Sequence, residues 1–457
     1  VVAQLARPCA DAYLAWIGVA LAGGLEVPLN VGLTPDLLAA ILRDARPRVL
    51  VADADLFDGV RDTLAACTDL KLIILRGGGE GAARVGNVPV VTLDELPVQT
   101  SGLRDPEPRD TACVLYTSGT TGTPKGVLVP WAMFSSATSM VPPDLLGDAI
   151  YAPWPVFHVT GKSCVVQMAA CGGRVVTRDT VSTSRFWADV RRYRCTHAVI
   201  GFVVPILERA APTPQDADHA LRSVVMGPLV PDVEAFSRRF GVRVVVVYGS
   251  TEMGFPLVLR ENVDNRYAGT TAARERPGYH TRVVDENGEP VPDGSTGELQ
   301  VRADAPEVMA VRYLDGGAVP RVDGWFPTGD AFHRGEDGLL WFDGRLGERI
   351  RRRGENLSAL DVEAAALEHA DVVEAAAFGV PGEPDDEIHL VLVPGRAGAR
   401  PDDVHDWLTT RLPKFMWPRY LTVRDSLPKT ATHRIRKSEL ATLAPVSEAW
   451  DAERRRR

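Results

Sequence analysis

The chain has 457 residues, 45% of them hydrophobic and 24% charged, with a formal net charge of -9. That length suits two or three domains with sizeable cores, and the acidic balance argues against a general nucleic-acid or anionic-membrane surface. Six cysteines, with no CxxC pair and no clustering with histidines, read as reduced, mostly buried thiols rather than zinc ligands or a disulfide framework.

The chain opens in a strand-like run, VVAQLA, without an initiating Met, which leaves room for a preceding segment and for a targeting signal within it. The weakly charged stretch from Ala12 to Leu25 is shorter than a membrane span and holds Gly18, Gly23 and Gly24, so it reads as a buried helix. A cytoplasmic enzyme without a membrane span is the expectation.

Apolar runs then alternate with helical patterns. TPDLLAAILRDA precedes RVLVAD; LKLIIL and THAVIGFVV follow; LRSVVMG leads through PDVEAFSRRFG to VRVVVVYG. Continuous apolar strands separated by helices predict an α/β fold with two parallel or mixed sheets. From Arg274 to Arg302 the text changes to VVDENGEPVPDGSTGELQVR, the turn-rich pattern of a small β-subdomain. A further change near Arg345 to Gly347 opens a compact α+β module with a helix from about Ser358 to His369. The expected organisation is a large N-terminal domain over 1–344, a small mobile domain over 345–446 and a solvated basic tail over 447–457.

One stretch concentrates chemistry. In TSGTTGTPKG, Thr117, Ser118, Thr120 and Thr121 offer hydroxyls, Gly119 and its fellow glycines free backbone N–H groups to face an anion, and Lys125 adds a mobile cation. A flexible linker would not normally place Pro-Lys-Gly between two apolar runs. The spacing is not that of a Walker loop, because GxxxxGK[ST] cannot be read across it.

That stretch resembles the signature of the adenylate-forming superfamily of acyl-CoA synthetases, carrier-protein adenylation domains and luciferases. WPVFHVTG, YGSTEMG, GELQVR, GWFPTGD, GRLGERIRRRGEN and LPKTATHRIRK follow in the family order and extend the resemblance over nearly the whole chain. It implies ATP or AMP, CoA and Mg²⁺ as cofactors. Tyr248 would lie against adenine, with Gly227 and Pro228 at the pocket edge and Gly249 and Ser250 in the same motif. Thr251 would bond the α-phosphate, Glu252 would help hold Mg²⁺, and Asp330 would accept from the ribose hydroxyls near Arg345. Singly, Tyr248 reads equally as core, Glu252 as a cap and Asp330 as a turn acid.

The substrate side is also constrained. Amino-acid-activating relatives place an aspartate in the Phe-His region to pair with the ammonium group. Here Val156, Phe157, His158 and Val159 stand there, so the expected substrate is a carboxylic acid without an α-amino group. His158 resembles a gate beside the reacting carboxyl, or is a core histidine. Trp154, Phe157, Phe202, Val204, Met253 and Phe255 are candidate acyl-pocket residues, or simply core.

In the C-terminal module, Gly354 would border a pantetheine tunnel, and Arg351, Arg352 and Arg353 either meet CoA phosphates or form a solvated charged face. Gly347 takes a hinge position usually acidic or lysine. The family's Gly-Lys is replaced by His433 and Arg434. Arginine keeps the charge but changes reach and geometry, so adenylation is expected to be weak or lost while CoA attack on a preformed acyl-adenylate survives. In that case a separate adenylating enzyme supplies the adenylate. Otherwise the loop adapts, or Lys437 or Lys429 takes over, and both half-reactions proceed. Loading of a carrier protein, and a catalytically dead acyl-adenylate binder, are the alternatives.

Overall fold

A computed structural model describes residues 1–77, 84–98, 101–117, 124–140, 148–180, 182–200, 207, 210–226, 232–260, 263, 265, 271–352, 355–383, 385–395, 398–429 and 435–455. The first sheet comprises β1 (Val2–Leu5), β2 (Glu26–Pro28), β3 (Val49–Asp53), β4 (Leu72–Arg76), β5 (Arg84–Val85) and β6 (Val88–Thr92), in the order β2-β1-β3-β4-β6-β5. All pairs but the last are parallel. As the sequence predicts, its central strands are continuous apolar runs, and helix Pro35–Ala45 lays Leu38, Ile41 and Leu42 into its core.

A hairpin of β7 (Thr111–Thr117) and β8 (Lys125–Pro130) forms a two-stranded sheet, with Thr117 and Lys125 paired at the end where the chain crosses from one strand to the other. The second sheet begins with β9 (Ala149–Tyr151), β10 (Arg174–Val176), β11 (His197–Val199), β12 (Ser223–Met226) and β13 (Arg243–Ser250), all parallel. Helix Val233–Phe240 joins the last two. Asp232 caps its start and Gly241, at φ 61°, ends it in the left-handed conformation glycine tolerates.

The strands of the expected β-subdomain continue the second sheet. β14 (Gly254–Leu259) folds back antiparallel on β13. The sheet then continues through β15 (Ala272–Glu275), β16 (Tyr279–Val284), β17 (Gly297–Ala303), β18 (Phe326–Arg334) and β19 (Leu340–Arg345), in the order β13-β14-β15-β19-β18-β17-β16. The ladder is thereby one sheet of 11 strands. Hairpin turns mark local pairing in a sequence but not which neighbour an edge strand joins, so the merger was not legible there.

Beyond it, β20 (Arg349–Arg352) pairs with β21 (Glu355–Ser358). A separate four-stranded sheet is made of β22 (Val372–Val380), β23 (Glu387–Pro394), β24 (Tyr420–Val423) and β25 (Trp450–Asp451). Helix Ala359–Leu367 packs on it, capped by Ser358 Oγ accepting from the Leu360 amide at 3.2 Å. One expectation is corrected here. The stretch 447–457 is not a free tail from its start: Trp450 and Asp451 pair with Leu421 and Tyr420, Ala452 is buried, and Arg419 meets Asp451 and Glu453. The run of arginines hides a short strand that only tertiary pairing stabilises.

The six cysteines are free thiols, three of them buried, and no described helix is long and apolar enough to cross a membrane.

Candidate active site

The carboxyl end of β13 is where the chemistry gathers. Val244 and Val246 are buried core, and the strand then runs into Tyr248, Gly249 and Ser250 before the turn 251–253. The register slips between Tyr248 and Ser250, and a Cβ on Gly249 would lie 2.1 Å from the Gly254 carbonyl oxygen. Only glycine fits this bulge. Ser250 Oγ accepts from the amides of Glu252 (3.3 Å) and Met253 (3.4 Å), holding the turn that presents Thr251 and Glu252.

Two groups of side chains converge on this turn. On one side the Tyr248 hydroxyl donates to Asp330 Oδ2 at 2.6 Å, and Arg345 Nε lies 3.5 Å from Asp330 Oδ1. Asp330 and Arg345 are register partners on β18 and β19, so the ladder itself aligns them. Thr328 Oγ1 accepts from the Asp330 amide at 3.1 Å and fixes the acid's backbone. Burial, then the Asp330 charge, raises the Tyr248 hydroxyl well above its ordinary range, so it stays a proton donor. Its ring stands edge-on to Phe332 at 4.9 Å.

On the other side Lys125 Nζ lies 5.4 Å from the centre of the Tyr313 ring. The segment carrying Tyr313 bonds back to both partners: the Leu314 amide to the Gly126 carbonyl at 2.7 Å, and the Ala310 amide to the Glu252 carbonyl at 2.8 Å. Behind burial, the Glu252 charge contributes to raising the Tyr313 hydroxyl. Lys125 and Glu252, 127 positions apart, thus flank one tyrosine that the sequence reading did not single out. Nothing in its local pattern, VRYLDGG, marks it.

A cavity of about 200 Å³ opens beside Gly249. One wall is the sheet face, where Ile150, His197, Val199, Val225, Val245 and Val247 point the same way by strand alternation. Helix Val159–Cys171 forms the opposite wall with Thr160, Ser163, Cys164 and Gln167, at the spacing of one helical face. Met140, Trp154, Met226 and Phe255 complete it. His158 sits at the helix start, where Nδ1 accepts from the Thr160 amide at 3.2 Å and its ring stacks on Trp154 at 5.2 Å. Trp154 is itself anchored by its Nε1–H to the Val199 carbonyl at 2.8 Å. Burial pushes His158 down to about 4, so at neutral pH its imidazole is uncharged.

The candidates fare unequally. Tyr248, Gly249, Ser250, Thr251, Glu252, Asp330 and Arg345 share one region with Lys125, and Thr117 flanks the loop that Lys125 closes. Trp154 and Phe255 line the cavity, whereas Met253 is 2% exposed in the core and Phe157 is half-buried outside the lining. Ser118, Gly119, Thr120, Thr121, Phe202, Val204, Gly227, Pro228, Arg353, Gly354 and Arg434 lie outside the described residues. Arg352 is not on a surface that could meet CoA phosphates. It is 5% exposed, pairs with Glu387 at 2.5 Å and donates to the carbonyls of Phe415 and Trp417, because a buried guanidinium needs its charge and donors matched. Arg351 keeps its side chain 72% exposed. The lysines on either side of Arg434 are both engaged: Lys429 with Glu374 at 2.7 Å, and Lys437 with Glu348 at 3.0 Å and Glu363 at 2.8 Å. Ser163, Gln167 and His197 also line the cavity, and the helical spacing of the first two is the signal in the sequence that marks them.

The AMP-binding enzyme model matches residues 1–311, and the AMP-binding enzyme C-terminal domain model matches residues 361–434. The chain belongs to the AMP-binding enzyme family. It is similar to the crotonobetaine/carnitine–CoA ligase of Salmonella arizonae, 29% identical over 453 residues, covering 94% of this chain and 86% of that one. The enzyme of the same name from Escherichia fergusonii is 28% identical over 455 residues, with the same coverage. Among solved structures, the fold resembles the O-succinylbenzoate coenzyme A synthetase of Bacillus subtilis in complex with AMP, at TM-score 0.78 and 22% identity over 96% of this chain and 87% of that one. It also resembles a benzoate CoA ligase of Burkholderia xenovorans, at TM-score 0.79 and 22% identity over 96% of this chain and 88% of that one.

Proposed function

We propose that this enzyme joins a carboxylic acid lacking an α-amino group to CoA through an acyl-adenylate, and that its own adenylation step is weak or lost while thioester formation persists. The carrying observation is the meeting of Tyr248, Asp330 and Arg345 with Lys125, Tyr313 and Glu252 at the mouth of a mostly apolar cavity. Tyr248 and Asp330 offer an aromatic face and a carboxylate for a nucleoside. Lys125 and the Thr251 turn offer a cation and a hydroxyl for its phosphates. The adjoining cavity takes the acyl group, with His158 beside the reacting carboxyl as an uncharged imidazole.

Among the described residues no three metal-binding side chains cluster, so Glu252 would share Mg²⁺ with phosphate oxygens and water. That is the way this ion is ordinarily held. The relatives named above as CoA ligases support CoA as acceptor. With Arg352 committed inside the module, the exposed Arg351, 4.0 Å from Asp385, is the member of the run proposed to meet CoA phosphates. The module over 345–446 is assigned the role of a mobile domain turning about Gly347.

Arg434 in place of lysine motivates the split between half-reactions, and the pairing of Lys429 and Lys437 supports it, since neither is held ready to replace the missing ammonium. A partner enzyme would then supply the adenylate. Purified enzyme given acid and ATP, and separately synthetic acyl-AMP and CoA, tests this. Thioester from the second pair only is expected, and fast turnover of both pairs would refute the split.

A further inference from the structure

The segment 310–314 ties together two parts of the candidate site that lie far apart in the chain. It belongs to a hairpin that closes on itself: the Val319 amide donates to the Val311 carbonyl at 3.1 Å, and the Tyr313 amide to the Gly317 carbonyl at 2.8 Å. Its other edge adds to β8 as a short third strand. The Leu128 amide donates to the Arg312 carbonyl at 3.1 Å, the Leu314 amide donates to the Gly126 carbonyl at 2.7 Å, and Tyr313 stands opposite Val127. The approach is so close that a Cβ on Gly126 would lie 2.9 Å from Val114 and 3.2 Å from Leu314. The glycine that follows Lys125 is what lets the segment seat there.

Side-chain direction follows from this pairing. Residues directly opposite each other across two strands point to the same side, as do alternate residues along one strand. Tyr313 therefore emerges on the side of Val127 and Lys125, whereas Leu314 turns to the opposite core with Val114 and Leu128. The Lys125 ammonium accordingly lies over the Tyr313 ring, 5.4 Å from its centre. At the far end of the segment the Ala310 amide holds the Glu252 carbonyl at 2.8 Å, and the Glu252 charge reaches the Tyr313 hydroxyl. One ring thus meets a cation at its face and a carboxylate's field at its hydroxyl edge.

We propose that Tyr313 is a positioning residue: its ring keeps the Lys125 ammonium turned toward the outer phosphates of a nucleotide and apart from the Glu252 carboxylate. This rests on the reading of Lys125 as a phosphate cation and goes further by assigning what holds it. An ammonium on a four-carbon stem swings freely, so a ring fixed by backbone bonds to the same hairpin gives it a direction that the stem alone does not. Without the ring, cation and carboxylate would be drawn together, each cancelling the charge that phosphate and metal ion need.

Titration calorimetry with α,β-methylene-ATP and Mg²⁺, and separately with AMP, tests this without turnover. Tyr313→Leu is expected to weaken the ATP analogue about fivefold, as loss of one cation–π contact would, and to change AMP affinity by less than about twofold, because AMP lacks the outer phosphates. Tyr313→Phe keeps the ring and should bind within about twofold of the parent. In a Lys125→Met background the leucine change should cost less than about a further twofold, so the double-mutant cycle separates the contact from any effect of the ring on packing. Equal losses for the analogue and AMP, a phenylalanine variant as weak as the leucine one, or an undiminished loss in the Lys125→Met background would each make Tyr313 merely structural and overturn the proposal. Tighter analogue binding by Tyr313→Leu would show the ring competing with phosphate and would overturn it too. If Lys125→Met weakens the analogue and Tyr313→Leu does not, the proposal alone fails; if Lys125→Met leaves the analogue unaffected, the phosphate role of Lys125 fails with it.

Discussion

The Tyr248 hydroxyl and the Asp330 carboxylate, 82 positions apart, meet at 2.6 Å. The bond ties the parallel half of the long sheet to its antiparallel extension and leaves Asp330 aligned with Arg345. Tyr248→Phe removes the bond but keeps the aromatic face, so AMP affinity should fall less than threefold while stability drops by about 1 kcal/mol. Asp330→Ala removes the proposed ribose acceptor and should weaken AMP binding tenfold or more. Calorimetry and thermal melts on the two variants check this; equal losses of AMP affinity would count against the assigned roles.

Arg434→Lys restores a compact ammonium where the guanidinium now stands. Acid-dependent exchange of pyrophosphate into ATP should rise by at least tenfold, with CoA transfer from synthetic acyl-AMP unchanged within a factor of about three. No gain in exchange would point to a loop already adapted to arginine.

Gly249 faces the Gly254 carbonyl so closely that any side chain must break the bulge. Gly249→Ala should cost about 3 kcal/mol or more in stability and abolish AMP binding, because the turn carrying Thr251 and Glu252 would shift. Gly18→Ala serves as the control: that glycine has open space around it and lies within a helix, so the change should be neutral or stabilising.

Lys162 and Glu26 form an ion pair at 2.8 Å with side chains 0% and 1% exposed, and the ammonium also lies 4.0 Å from the Trp16 ring centre. Burial drives the Glu26 carboxyl upward while Lys162 opposes it. Lys162→Met strands that carboxyl and should destabilise by about 3 to 5 kcal/mol. The double variant with Glu26→Gln should recover more than half of the loss in a urea titration. An additive double variant would show that the pair is not coupled.

Burial pushes His389 down to about 4, and its side chain is fully buried between Phe378 and Tyr420 with Nε2 bonded to Thr422. A histidine depressed in the folded state contributes nothing above its unfolded value near 6.5 and destabilises as pH falls below it, by up to about 3 kcal/mol on approaching pH 4. Midpoints of urea unfolding between pH 7.5 and 4.5 should decline less steeply in His389→Gln than in the parent; parallel profiles would contradict this origin.

Much of the fold, and the motifs that meet in the candidate site, could be read from the residues alone. β3, β4, β12 and β13 were visible because strands buried on both faces leave unbroken apolar runs. Tyr248, Glu252 and Asp330 stood out through motif order. Tyr313 did not, because it reaches Lys125 and Glu252 only through backbone pairing of a loop with β8. Arg352 misled because a run of three arginines looks the same whether the middle one is solvated or buried on Glu387. The strand at Trp450 was hidden by the charge that follows it.

The ladder from β10 to β16 means that the proposed acyl-pocket wall and the carboxylate proposed to meet the ribose are rows of one sheet. Val199, Val225 and Val245 project from its parallel rows, Asp330 and Arg345 from its antiparallel ones. Exchanging side chains on the former reshapes what is selected without moving the latter, so new substrate preferences can arise here by repainting a surface whose frame stays still.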